Sequence, residues 1–206
     1  ERTPDVTVTK HMRHTTRMPF TVIHLCSLLG GWLLLSVAYG MQAPYPGPHS
    51  ENRDLLVVLR PLTAEQTAAF YEARGFPGEA IDIIKTTCFV TVHLRNRGKQ
   101  VIWLDTGHWS FTHDGKPLEH LDKSWWDAQW ARIDLRQASR STFGWTQLPL
   151  QRDLQPDEPV GGNIVLPGDT RRFDMTLRMA TGADRRGEPV ILEFSDVECP
   201  QAEADK

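Results

Sequence analysis

Hydrophobic side chains recur at every second position from Cys88 onward, where Cys88, Val90, Val92 and Leu94 alternate with Phe89, Thr91, His93 and Arg95. A period of two sets one row against a core and the other away from it, which predicts a strand. Asn96-Arg97-Gly98-Lys99 turns the chain, Val101 to Leu104 and His108 to Thr112 continue as short strands, and His113-Asp114-Gly115-Lys116 supplies another turn. Further strands are predicted at Ser141 to Gln147, Phe173 to Met179 and Pro189 to Phe194. Phe173, Met175, Leu177 and Met179 share one face, and Val190, Leu192 and Phe194 match them on a closing strand. Short strands at close intervals, with no long helices between them, predict a mainly β antiparallel sandwich over 88–199 and argue against a parallel α/β sheet.

Upstream the pattern changes. Leu55 to Leu59 reads as a short strand, after which Thr63 and Gln66 form a capping box that opens a helix through Arg74, and Gly75 stops it. Pro77 can begin a second helix carrying Ile81, Ile83 and Ile84. Residues 55–87 are therefore expected as a helical preface to the sandwich, and 41–54, with Pro44, Pro46 and Pro48, as a linker. Within the sandwich, Leu118 to Gln137 breaks the alternation as an insertion holding Trp125, Trp126 and Trp130, of which the last two share a face at helical spacing. An acidic tail fills 200–206.

Residues 1–40 suggest a route out of the cytoplasm. Arg13, His14 and Arg17 precede a run without charge from Leu25 to Ala38, and small residues at Ser36, Ala38 and Gly40 suit signal cleavage. The alternative is an uncleaved membrane anchor starting near Pro19. Residues 1–11 precede Met12 and are expected to lie upstream of the true start. Cys26 stands inside the apolar run rather than at its end, which disfavours lipid attachment. With Cys26 set aside, the chain's three cysteines reduce to Cys88 and Cys199. An oxidising compartment makes that pair one disulfide, whereas a cytosolic chain would hold two unpaired thiols.

The order Val90-Thr-Val-His-Leu-Arg-Asn-Arg-Gly98, then Trp109 to Gly115, then Val165-Leu-Pro-Gly-Asp-Thr-Arg-Arg-Phe-Asp-Met-Thr-Leu177 resembles the immunoglobulin-like domains of bacterial cell-envelope proteins. The shared features are turns: an Asn-containing turn, an Asp-Gly turn, and a Pro-Gly turn before the last two strands. The resemblance covers about half the chain, without the preface or the Trp-rich insertion. It implies an immunoglobulin-like sandwich with an adhesion, assembly or scaffold role, and it passes on no catalytic residue.

Chemistry and charge narrow the function further. The formal net charge of −3 gives no electrostatic reason to seek nucleic acid or anionic lipid headgroups, and membrane contact is expected only through the N-terminal segment. His93, His108, His113 and His120, near Asp105, Asp114 and Asp122, invite a metal reading, but their spacing is poor and no metal or other cofactor is expected. Met175 and Met179 read as core rather than copper ligands. No serine sits in a Gly-x-Ser-x-Gly elbow, Asp157 and Glu158 read as an exposed turn, and Gly161-Gly162 lacks the rest of a phosphate loop. Trp103, Trp109 and Trp145 are read as core, while Trp125, Trp126 and Trp130 form the expected partner-binding surface. The expectation is a non-enzymatic binding or assembly module, periplasmic or secreted, or anchored in the inner membrane with its domain outside, meeting an unidentified envelope protein. A copper- or zinc-handling protein and a carbohydrate-binding module are the alternatives.

Overall fold

The computed structural model describes residues 48–200. In chain order it contains β1 (His49–Glu51), β2 (Leu55–Leu62), α1 (Ala64–Glu72), α2 (Gly78–Lys85), β3 (Thr87–Asn96) and β4 (Ile102–Asp105). A 3-10 turn (Thr106–His108) leads to β5 (Ser110–His113), β6 (Lys116–Leu118), α3 (Lys123–Arg132) and α4 (Gln137–Thr146). The chain closes with β7 (Gln151–Leu154), β8 (Pro159–Pro167), β9 (Arg172–Thr181) and β10 (Val190–Glu198).

The strands form two antiparallel sheets, so the predicted mainly β antiparallel class is present. The first has the order β1-β2-β3-β8, with β3 paired along its length to β2 and to β8. The second is organised around β9. One edge of β9 takes β10, from Arg172 opposite Glu198 to Met179 opposite Val190. The other edge is shared: β5 pairs near Met175 and β4 pairs at Ala180 and Thr181, the 3-10 turn separating the two. β6 extends this sheet beyond β5, and β7 beyond β4.

Alternation explains the core between the sheets. Leu55, Val57 and Leu59 of β2 and Cys88, Val90, Val92 and Leu94 of β3 face Phe173, Met175, Leu177 and Met179 of β9 and Val190, Leu192 and Phe194 of β10, all buried. A disulfide joins Cys88 to Cys199, with Cα atoms 5.7 Å apart, and ties the start of β3 to the chain beyond β10.

The outer face of the first sheet is covered by the four helices, which make a third layer. Phe89 and Val165 point away from the sandwich and pack with Tyr71, Ile81, Ile84, Trp126, Trp130 and Phe143. Trp126 and Trp130 stack with ring centroids 5.0 Å apart, and Phe143 approaches Trp126 at 4.4 Å. The capping box of α1 is formed: Gln66 N–H donates to Thr63 Oγ1 (3.2 Å) and Thr63 N–H to Gln66 Oε1 (3.1 Å). Asp122 caps α3 by accepting from Trp125 N–H at 3.0 Å.

Several expected boundaries are corrected. The preface and the sandwich are not separate, because β2 pairs with β3 from Leu55 opposite Asn96 to Leu62 opposite Phe89 and buries its leucines in the common core. The linker reading fails at His49–Glu51, which pairs with β2. Ser141 to Gln147 is not a strand; it lies mostly in α4, because burying Phe143 against Tyr71 and the tryptophans outweighs the low helix preference of its threonines. β8 is not among the strands that the sequence pattern predicts. It is a strand covered on both faces, which removes the alternation that would have marked it. The signal or anchor segment and residues 1–11 lie outside the described residues, as does most of the acidic tail.

Candidate functional site

The two hydrophobic layers meet around the outer edge of β8. There a cleft of about 1210 Å³ runs between α3, α4, the segment 147–150 and the edge strand. That is slightly above the usual range for small-ligand sites, ~300–1,000 Å³. Its wall draws on both cores: Trp109, Phe111, Leu148, Val160 and Ile164 belong to the sheet–sheet layer, and Trp126, Trp130, Phe143 and Val165 to the helix layer. Trp145 and Leu150 line it too, and they are 89% and 55% exposed.

The polar inventory of this wall is lopsided. The indole N–H groups of Trp109, Trp126 and Trp130 are buried, and none meets an acceptor among the described residues. A buried donor without a partner costs about 1–3 kcal/mol. Arg140 donates from Nε to the Leu135 carbonyl (2.6 Å) and from Nη2 to the Trp130 carbonyl (3.2 Å). No carboxylate among the described residues lies within ion-pairing distance of it. The other cations of the wall are paired, Lys123 with Asp127 and Arg152 with Glu158. Asp122 accepts from Ser124 Oγ and Trp125 N–H, bonds that hold its carboxyl below the ordinary aspartate range.

Two local features fix the shape. Tyr71 Oη lies 2.6 Å from Thr146 Oγ1, to which Gln147 Nε2 also donates at 2.9 Å, so the end of α4 is tied to α1. Gly162 lets the chain leaving α4 lie directly on β8, where Leu148 N–H donates to the Asn163 carbonyl (2.9 Å). A Cβ at Gly162 would stand 2.5 Å from the Leu148 Cα.

The predicted site residues are redistributed. Trp125, Trp126 and Trp130 do lie together on α3, but Trp126 and Trp130 are 3% and 1% exposed, so they are not an outward platform. The reason is their shared face, which packs on Phe89 and Phe143. Trp125 is half-buried, edge-on to Trp126 at 4.8 Å. Trp145, expected in the core, is the exposed tryptophan among the described residues, since α4 turns it away from Phe143. Trp109 is buried as expected. Trp103 is half-buried, donating to the Gly182 carbonyl (2.7 Å) beneath the Arg185 guanidinium. The histidines disperse: His108 sits beside Asp105, His113 Nδ1 lies 2.6 Å from the Arg172 carbonyl, and His120 packs near Phe111. Among the described residues no three or more metal-ligating side chains gather. Arg140 and Leu150 were missed by sequence reasoning. Arg140 falls between the expected insertion, which ends at Gln137, and the strand expected from Ser141, where nothing marks it out from Arg132 and Arg136.

No family model and no curated protein matches the chain. Among solved structures it is similar to the crystal structure of a putative lipoprotein (YcdA) from Bacillus subtilis, at 11% sequence identity and a TM-score of 0.40. That likeness covers 74% of this chain and 39% of the Bacillus chain, so this chain spans well under half of the protein it matches.

Proposed function

We propose that this chain is an exported, non-enzymatic binding module of the bacterial cell envelope, in which an immunoglobulin-like scaffold carries a ligand cleft against its helical layer. The observation that carries the reading is the cleft itself, a large opening into both hydrophobic layers with an arginine free of ion pairing in its wall and an exposed tryptophan at its side. Export is supported by the basic-then-apolar stretch before Ala38 and by the Cys88–Cys199 bond, which an oxidising compartment maintains. Apart from Arg140, the charged groups along the wall serve capping and ion pairing, which supports binding over catalysis. The four helices set this chain apart from a plain immunoglobulin-like domain, and two of them, α3 and α4, line the cleft.

A carbohydrate-binding role is the second reading, favoured by the 89% exposure of Trp145, which suits stacking on a sugar face. The test places a photo-crosslinking amino acid at Trp145 or, as control, at Ile191 on the exposed side of β10, in cells making the full chain. The expected result is a discrete adduct from position 145 and none from 191. Equal labelling at both positions, or none at 145, removes the cleft as the functional surface.

A further inference from the structure

We infer that the cleft takes a long-chain carboxylate, its head group at Arg140 and its tail along Trp109, Leu148, Val160 and Ile164. The inference rests on the cleft being the binding site and names what fills it.

The first argument is the balance of donors and acceptors. After internal bonding, what remains unpartnered on the wall and within an occupant's reach is Arg140, whose fork has N–H groups beyond the two that hold Leu135 and Trp130. The wall's own acids are committed, Asp127 to Lys123 and Asp122 to the start of α3. An occupant must therefore bring acceptors, and the unpaired guanidinium selects a negative charge among them. A carboxylate supplies both in one group.

The second argument is the apolar wall. Trp109, Leu148, Val160 and Ile164 are part of the core between the sheets, so a tail lying on them extends an existing hydrophobic layer and leaves water as it does so. The remaining classes of occupant fit less well. A peptide adding a strand to β8 would find its edge already used, because the Asn163 and Val165 carbonyls accept from Leu148 and Leu121, and the strand begins at Pro159, which has no N–H. A neutral glycan brings no negative charge to answer the unpaired Arg140 guanidinium.

The test uses the full oxidised chain and three probes below their aggregation limits: hexadecanoate, hexadecanol and acetate, followed by tryptophan fluorescence and calorimetry. Hexadecanoate is expected to bind saturably at one site, with hexadecanol and acetate each at least about tenfold weaker. Arg140→Gln is expected to weaken hexadecanoate binding roughly ten- to hundredfold, the range for a lost charged hydrogen bond, and to leave hexadecanol unchanged. Arg140→Lys, which keeps the charge, should fall between the two and serves if the Gln variant does not fold. Equal binding of acid and alcohol, or indifference of a folded Arg140→Gln chain, overturns the head-group assignment. No saturable hexadecanoate binding, or displacement by a soluble cell-wall oligosaccharide, overturns the ligand class. If adducts at position 145 persist in either case, only this inference fails; if they are absent as well, the cleft reading fails with it.

Discussion

Between the sheets, Leu59, Val92, Leu177 and Met179 carry no hydrogen-bonding donor into the core, and the layer is closed by a covalent tie at Cys88. Across the same first sheet, the helix layer is built from Phe143 and from Tyr71, Trp126 and Trp130, the last three bringing a polar atom with each ring. Aliphatic side chains in alternation fill a space between two pleated surfaces without leaving anything unsatisfied. Aromatic side chains bury more area each, but an indole or phenol must also find a partner. Tyr71 finds Thr146, whereas the indoles of Trp126 and Trp130 find none, and Trp109 repeats the deficit where the first layer opens into the cleft. The contrast teaches that the site lies where the packing is least self-sufficient.

The largest test of the contrast concerns the closed layer. Replacing Cys88 and Cys199 together by alanine, which frees a connection spanning 111 residues, should cost up to about 4–5 kcal/mol on chain-entropy grounds. Denaturant unfolding of the variant beside the oxidised protein measures it, and a loss under ~1 kcal/mol would mean the bond does not define this layer.

Next comes the aromatic layer. Trp126→Ala should cost about 3–5 kcal/mol as a core truncation, while Trp145→Ala, at an exposed position, should change stability by less than about 0.5 kcal/mol. If the two cost the same in equilibrium unfolding, the helix layer is not a core.

The smallest effect is a pH dependence confined to the aromatic side. Burial pushes the Tyr71 hydroxyl up to about 12 from 10.0, against the opposing effect of its hydrogen bonds with Thr146 and Gln147. Between those values the unfolded chain gives up the phenol proton first, so native stability is intact below about pH 10 and falls as pH rises toward about 12, by about 2–3 kcal/mol. Unfolding midpoints at pH 9 and 11.5 should converge in Tyr71→Phe; an unchanged slope in that variant would place the loss elsewhere.

Legibility in the sequence follows the same division. β3, β9 and β10 could be read because each has one row of side chains inward and the other outward, as in Val90, Val92 and Leu94. The α1 cap could be read because Thr63 and Gln66 act over three residues. β8 could not, since Ile164-Val165-Leu166 is buried on both faces and shows no period. α4 could not, since its helix depends on where Phe143 lands rather than on local preference. The site was half visible: the tryptophans drew attention through their rarity, but which one faces outward was decided by α4, and Arg140 acquires meaning only beside the Trp130 carbonyl.

Gly162 makes the mouth of the molecule adjustable from behind. Because the backbone of Leu148 rests on that glycine, its missing side chain acts as a shim left out, and Leu148 lies as close to the strand as it does for want of one methyl group. Any side chain at this position would lever the strap away from the strand and resize the opening without altering a residue of its lining.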